Sequence, residues 1–217
     1  MSMELIQRLA SGYINVCNDT LPGGGGGNIG PQVGLAPGQL GKILELDDSE
    51  LQGIVNTSVG TVYGGGFRYV QLSASATANP AVGSLVFWDP IATSADNLYV
   101  VTTLETITTP GAQYIAGVVL SSTWGVSKYS FIQCWGTVYA KFRAALTHAP
   151  TGIGEAVYAA AAGAGADNGL CDCLSTADPA DFSDVTLLQN RYLGPSVDLP
   201  TNGGLKRISL RRLNERG

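Results

Sequence analysis

The chain has 217 residues, of which 45% are hydrophobic and 13% charged, and its formal net charge is −5. A chain of this length and composition can bury a sizeable core, as one large or two small domains. Its acidic field repels nucleic acid and anionic membranes and mildly favours a basic partner, which argues against a nucleic-acid enzyme.

The sequence also lacks the signals of membrane insertion and export. No apolar run approaches the roughly 18 residues that a membrane helix needs. Residues 1–12 lack the basic end and the apolar centre of a secretory signal. We therefore expect synthesis in a cytoplasm, with neither a membrane nor nucleic acid among the partners.

The first 39 residues predict an N-terminal arm that is separate from the body of the protein. Apolar residues recur at helical spacing within residues 1–17, which is typical of a short amphipathic helix. Five consecutive glycines follow at positions 23–27, between Pro22 and Pro31, and such a run maximises backbone freedom. We therefore expect a short helix on an extended, glycine-rich arm at residues 1–39.

Residues 40–217 predict a β-rich body. Short runs of β-branched and aromatic residues are separated by turns rich in Gly, Pro, Asn, Asp and Ser. The predicted strands are residues 42–46, 67–73, 84–88, 98–103, 114–120, 129–142, 156–160 and 206–213. Residues 186–193 could form one or two helical turns. This spacing favours an all-β fold, either an antiparallel β-sandwich or a barrel-like body.

The longest predicted strand, residues 129–142, has two different faces. Alternate side chains of a strand point to opposite sides, so small apolar residues such as Ile132, Cys134 and Ala140 would face a packed core. The opposite face is large, aromatic and tipped with polar atoms. Its rings could line a β core, or they could form an interface, because Trp and Tyr are enriched where proteins meet. On the second interpretation the partner-binding residues of this strand are Tyr129, Phe131, Trp135 and Tyr139.

The C-terminal end is basic, because five of the twelve Lys and Arg residues lie in the last twelve positions. These residues belong either to a polar edge strand with a solvated tail or to a contact with an acidic surface on a partner. On the second interpretation Arg211 and Arg212 are the partner-binding residues of this segment.

No set of residues in the sequence points to catalysis, a cofactor or a metal. The only histidine, His148, lies in a turn-like segment with little around it to orient a catalytic imidazole. A dinucleotide-like glycine pattern at residues 25–30 has no strand before it and Pro31 directly after it. Cys171 and Cys173 lack the paired spacing of a zinc site. We therefore expect a protein that is not an enzyme, with no catalytic residue, cofactor or metal.

Several short motifs follow one another in an order known from another class of protein. They are YIAGVVLSS at 114–122, IQCWGTVYAKF at 132–142, GEAVYAAAAGAGADNG at 154–169 and RYLGPSVDLPTNGGLKRISLRR at 191–212. Through this order, over residues 67–213, the chain resembles a bacteriophage capsid decoration (cement) protein. The resemblance implies a compact, non-enzymatic β body that binds the assembled major capsid protein from outside, often as a homotrimer.

On this resemblance we expect a structural protein of the virion that lies on the outer capsid surface and stabilises the phage head. Its partners would be the major capsid protein and further copies of itself, in a trimer or a dimer. A virion fibre or a carbohydrate-binding β module for host attachment is the alternative, since exposed rings can also stack on sugars. A hydrolase with two carboxylates in a cleft is a third possibility.

Overall fold

The computed structural model of the chain describes residues 41, 43–49, 51, 55–56, 60–74, 76, 79–89, 99–103, 115–120, 124–127, 129–160, 169–173 and 191–213. The predicted arm at residues 1–39, with its helix, lies outside the described residues. The first five residues of the segment 186–193, which the sequence suggests as helical, also lie outside them.

Strands form the regular structure of the described residues. In chain order they are β1 (Ile43–Leu46), β2 (Val55–Asn56), β3 (Gly60–Thr61), β4 (Gly65–Leu72), β5 (Leu85–Trp88), β6 (Val100–Thr102), β7 (Ile115–Val119), β8 (Tyr129–Lys141), β9 (Ala156–Ala159), β10 (Cys171–Cys173), β11 (Tyr192–Pro195) and β12 (Leu205–Leu210). All eight predicted strands are present, although their ends differ by a few residues. The all-β prediction is confirmed.

Five strands close into a ring. The large sheet has the order β1-β4-β6-β5-β7-β8-β12, and β4 also pairs with β8. This extra pairing joins β4, β6, β5, β7 and β8 in a barrel-like circuit, while β1 extends the sheet from β4 and β12 extends it from β8. The strand pairs of this sheet are antiparallel, except that β4 and β6 are parallel. β6 lies between β4 and β5 and is antiparallel to β5. The antiparallel prediction is therefore corrected at this one pair.

A second sheet continues the first beyond β12. β9 lies between β10 and β11 in a three-stranded antiparallel sheet. Ser196, directly after β11, bridges to Ile208 of β12, and the N–H of Arg211 donates to the carbonyl of Leu193. β12 is therefore held by β8 on one side and by the β11 segment on the other. β2 and β3 form a separate two-stranded ribbon.

Two hydrophobic clusters lie on opposite faces of the ring strands. Consecutive residues of a strand belong to different clusters, as Leu85 and Val86 of β5 show. The first cluster is rich in aromatic rings and also takes in side chains of β9 to β12. The second combines mostly smaller side chains with Trp88 and Trp124. Burial on both faces explains why several strands are continuous apolar runs in the sequence.

A β-bulge divides β8 into two parts. Gly66 of β4 lies opposite Trp135, but the next residue, Phe67, lies opposite Gln133. Cys134 is therefore an extra residue on β8. Such a residue shifts the alternation of side chains by one position and bends the strand.

The bulge overturns the predicted faces of residues 129–142. Before the bulge, Tyr129 and Phe131 enter the first cluster, with exposures of only 5% and 2%. After the bulge, Val138 and Ala140 enter the same cluster, and the odd-numbered side chains are partly exposed. The expectation that Tyr129 and Phe131 share an outward face with the later rings is wrong, because uniform alternation does not continue across a bulge.

Gly136 follows the bulge and permits the bend. Its φ of +97° lies in the left-handed region that favours glycine. A Cβ atom at this position would overlap the carbonyl oxygen of Gly64. The first part of β8 consequently pairs with β4 and β7, and the second part pairs with β12.

Candidate functional site

The outward side chains of β12 and of the second part of β8 form one surface. In the antiparallel register Arg207 lies opposite Tyr139, and Ser209 lies opposite Thr137. Ile208, between the two β12 residues, is buried in the first cluster, so its neighbours point away from the core. We call this surface the outer β8–β12 face. Its members are Trp135, Thr137, Tyr139, Arg207, Ser209, Arg211 and Arg212, with the rings of Tyr63 and Tyr192 at its borders.

A carboxylate and an aromatic ring hold Arg207 on this face. Its Nε lies 3.0 Å from both carboxylate oxygens of Asp198, and its Nη2 donates to Asp198 Oδ1 at 2.6 Å. The guanidinium carbon lies 5.7 Å from the ring centre of Tyr63, whose hydroxyl accepts a hydrogen bond from Nη1 at 3.2 Å. The forked contact with the carboxylate and the contact with the ring together fix the plane of the guanidinium.

Tyr139 completes this group of side chains. Its ring centre lies 6.1 Å from that of Tyr63. A shallow depression lies beside the two rings, and its lining includes Val82, Leu120 and Thr137. Its volume of about 10 Å³ accommodates about one water molecule. The two tyrosines therefore border a small depression whose lining is both apolar and polar.

Hydrogen bonding, charge and burial shift the ionisation of this group. The hydrogen bond from Arg207 lowers the pKa of Asp198, and the same contact raises the pKa of the guanidinium. Desolvation, followed by the hydrogen bond with Tyr63, raises the pKa of Tyr139. At neutral pH the face therefore carries a charged Asp198–Arg207 pair beside a neutral tyrosine.

Two further arginines lie over aromatic rings. The guanidinium carbon of Arg211 lies 5.6 Å from the ring centre of Tyr192, and that of Arg212 lies 4.6 Å from the ring centre of Trp135. Tyr192 packs against Tyr158 of β9, with 5.3 Å between the ring centres. Both arginines are exposed, whereas Tyr192 and Trp135 are partly buried. Three arginines of one strand and its end are thus each combined with a ring.

Trp135 is positioned by the bulged backbone around it. Gln133, which is 1% exposed, donates from Nε2 to the carbonyl oxygens of Trp135 and Thr137 at 3.2 and 3.0 Å. The indole covers Gly66, where a Cβ atom would overlap the ring, and it packs against the second cluster. The sequence pattern assigns Gln133 to the outward face, but its amide lies inside and holds the backbone that carries Trp135.

The structure brings together four of the six residues predicted to bind a partner. Tyr129 and Phe131 lie inside the body, so a partner does not reach them in this fold. The four residues that lie on the outer β8–β12 face are Trp135, Tyr139, Arg211 and Arg212.

Sequence analysis missed Tyr63, Tyr192 and Asp198, which come from other segments and join the face only when the strands pair. For Asp198 a signal exists. The turn residues Asn202 and Gly203 lie between Asp198 and Arg207, and such a turn favours a hairpin that brings its two ends together.

Cys171 and Cys173 lie in β10 on either side of Asp172, whose carboxylate contacts neighbouring segments of the fold. Asp172 accepts hydrogen bonds from the N–H of Thr147 and from Nη1 of Arg143, both at 2.9 Å. Burial raises the pKa of Cys173 to about 12 and also raises the pKa of Cys171, so both thiols stay protonated at neutral pH. Within the described residues no three His, Cys, Asp or Glu side chains are grouped so that they could hold a metal ion.

No protein family, curated protein or solved structure matches the chain. In the part of the chain that the structure describes, no helix is both long and apolar enough to cross a membrane. The outer β8–β12 face is therefore the feature on which a proposal of function rests.

Proposed function

We propose that the chain is a capsid decoration protein, a structural virion protein that binds the outside of the major capsid protein lattice and stabilises the head of a bacteriophage. The order of motifs over residues 67–213 supports the proposal, because it resembles the order in cement proteins. The proposed form is a homotrimer on the outer capsid surface.

The aromatic surface of the outer β8–β12 face is the observation that carries this proposal. Trp135 and Tyr139 remain partly exposed, whereas several other aromatic rings are buried in the first cluster. Such side chains combine a large apolar area with a polar tip, and they dominate the centres of protein interfaces. Two paired strands hold them in fixed positions. A surface that is ordered before binding loses little conformational entropy when it binds.

The depression beside Tyr63 and Tyr139 makes this surface uneven. Its lining combines the apolar Val82 and Leu120 with the polar Thr137. Strong interface contacts are commonly closely packed and surrounded by side chains that exclude water. A side chain of the capsid protein could lie over this shallow depression while the surrounding rings exclude water.

A capsid lattice suits a binder whose individual contacts are modest. The lattice repeats the same position many times, and an oligomer that holds one position binds the next with a high effective concentration. An interface that buries about 1,600 Å² in total is of standard size for a specific complex. Avidity therefore compensates for modest affinity at each position.

Binding of the purified chain to capsid shells tests the proposal. Shells assembled without this chain are mixed with increasing amounts of the protein and sedimented, and the bound copies are counted. We expect saturation at a fixed number of copies per shell, and a trimeric mass for the unbound protein by light scattering. Failure to saturate the shells, or specific binding on a glycan array in its place, would refute the proposal.

Two matched variants locate the contact. Ser209→Trp puts a bulky ring in the middle of the outer β8–β12 face, and Ala145→Trp puts the same ring in an exposed turn outside it. We expect Ser209→Trp to weaken shell binding by about tenfold or more, which corresponds to about 1.4 kcal/mol. Ala145→Trp should bind as the wild type does. Equal binding by the two variants would show that another surface contacts the lattice.

A further inference from the structure

Arg207 shows how the outer β8–β12 face holds a carboxylate. Its guanidinium lies over the ring of Tyr63, and its Nε and Nη2 reach the two carboxylate oxygens of Asp198. The donors of a guanidinium point in several directions within its plane, so Arg207 can contact a ring on one side and still present Nε and Nη2 to a carboxylate. The arrangement therefore has three parts, which are a ring, an arginine and an acid.

Arg212 and Trp135 repeat the first two parts of this arrangement. The guanidinium carbon lies 4.6 Å from the ring centre, compared with 5.7 Å for Arg207 and Tyr63. Arg212 is exposed, and among the described residues no carboxylate lies within ion-pair distance of it. Arg212 is therefore an exposed cation without a carboxylate partner among the described residues, on the surface to which we assign the capsid contact.

We infer that Arg212, held on Trp135, binds the side chain of an aspartate or glutamate on the major capsid protein. This inference rests on the proposed function and names the chemistry of its partner. A carboxylate is planar and has two oxygens, so it matches the two parallel N–H donors of a guanidinium. An indole is also the best of the aromatic partners for a cation.

The charge of the molecule favours a single acidic side chain over a polyanion. The chain carries a formal net charge of −5, so a nucleic-acid backbone is repelled at long range. A carboxylate within a protein interface experiences mainly the local positive charge of Arg212, because salt screens the more distant charges.

Three variants separate the effects of the fork, the local charge and the net charge. Arg212→Lys keeps the charge but lacks the planar fork, and Arg212→Gln removes the charge. Ala145→Glu changes the net charge by the same one unit as Arg212→Gln, but it lies in an exposed turn outside the face. Each variant is sedimented with capsid shells at low and high salt, and its mass and thermal unfolding are measured in parallel.

We expect Arg212→Gln to weaken shell binding by about 10-fold to 100-fold, as the loss of a charge-assisted hydrogen bond does. Arg212→Lys should lose less, and Ala145→Glu should bind as the wild type does. Added salt should weaken binding of the wild type more steeply than binding of Arg212→Gln, because salt screens the ion pair that the variant lacks.

The outcomes separate the inference from the proposed function. Wild-type affinity and salt dependence in Arg212→Gln would overturn the inference and leave the proposed function standing. Absence of shell binding by the wild type at every salt concentration would refute the proposed function itself. Loss of the trimeric mass in Arg212→Gln would place the carboxylate on a second copy of the chain and would also overturn the inference. Should Arg212→Gln fail to fold, Arg212→Lys decides by the same criteria.

Discussion

The bent second part of β8 depends on Gly136, and replacing this glycine with alanine should destabilise the protein strongly. The φ of +97° costs a residue with a Cβ atom about 1–2 kcal/mol. The added Cβ would also overlap the carbonyl oxygen of Gly64 and lie 2.8 Å from Gly65 Cα, so the backbone that leads into β4 would have to move. Such overpacking costs about 1–3 kcal/mol. We therefore expect Gly136→Ala to lower the free energy of unfolding by about 2–5 kcal/mol.

Two other glycines separate the backbone cost from the steric cost. Gly154 also has a positive φ, +83°, but no atom lies within 4 Å of the position of its Cβ. Gly154→Ala should therefore cost only the backbone term of about 1–2 kcal/mol. Gly152 has neither constraint, and Gly152→Ala should leave the stability unchanged or raise it by up to about 1 kcal/mol.

Urea and thermal unfolding followed by tryptophan fluorescence measure these differences, since Trp88 and Trp124 are buried and become exposed on unfolding. In a chain of this size a loss of about 2–5 kcal/mol lowers Tm by about 4–20 °C. The expected order of stability is Gly152→Ala, then Gly154→Ala, then Gly136→Ala. If Gly136→Ala were as stable as Gly154→Ala, the close approach of β8 to β4 described above would be wrong.

Two further predictions concern the core and the ion pair. Phe131→Ala should cost about 3–5 kcal/mol, because its ring is 2% exposed and lies 5.2 Å from that of Tyr69, whereas Tyr139→Ala on the outer face should cost clearly less. Equal losses in urea unfolding would contradict the assignment of one ring to the core and the other to the surface. Asp198 has a lowered pKa in the folded state, so its ionised form stabilises the protein above the unfolded pKa of about 3.9, and this contribution is lost as the pH falls through the folded value. Wild type should therefore have a higher Tm than Asp198→Asn at neutral pH, and the difference should shrink as the pH falls through the folded pKa of Asp198. A difference independent of pH would contradict the pairing with Arg207.

The sequence identifies eight of the twelve described strands because apolar runs end at turn residues. The four that carry no such signal are β2 and β3, which have two residues each, and β10 and β11. β10 has only three residues, and β11 contains Gly194 and Pro195, which both disfavour strands. Tyr192 and Leu193 lie in β11, so the suggested helical turn is wrong for these two residues. β10 and β11 form because β9 pairs with each of them, and this tertiary pairing overrides local propensity.

The candidate site is predictable only in part, because its geometry depends on pairing between distant segments. The basic C-terminal run and the rings of β8 are visible in the sequence. The bulge at Cys134 is not, because it arises from the register between β8 and β4, which lie far apart along the chain. Without the bulge, Tyr129 and Phe131 would share a side of β8 with Trp135 and Tyr139. A one-residue shift in register therefore separates core rings from surface rings.

Closure of the ring by β8 also has a consequence for synthesis of the chain. β4 ends at Leu72, but β8, which pairs with it and closes the ring, ends only at Lys141. At about 5–20 residues per second, a ribosome needs roughly 3–14 s to make the intervening segment. Until then the nascent chain lacks the strand that covers the edges of β4 and β7, and uncovered edges favour aggregation. The ring therefore reaches its native pairing only after β8 has been made, and slower elongation would prolong the interval in which these edges are uncovered.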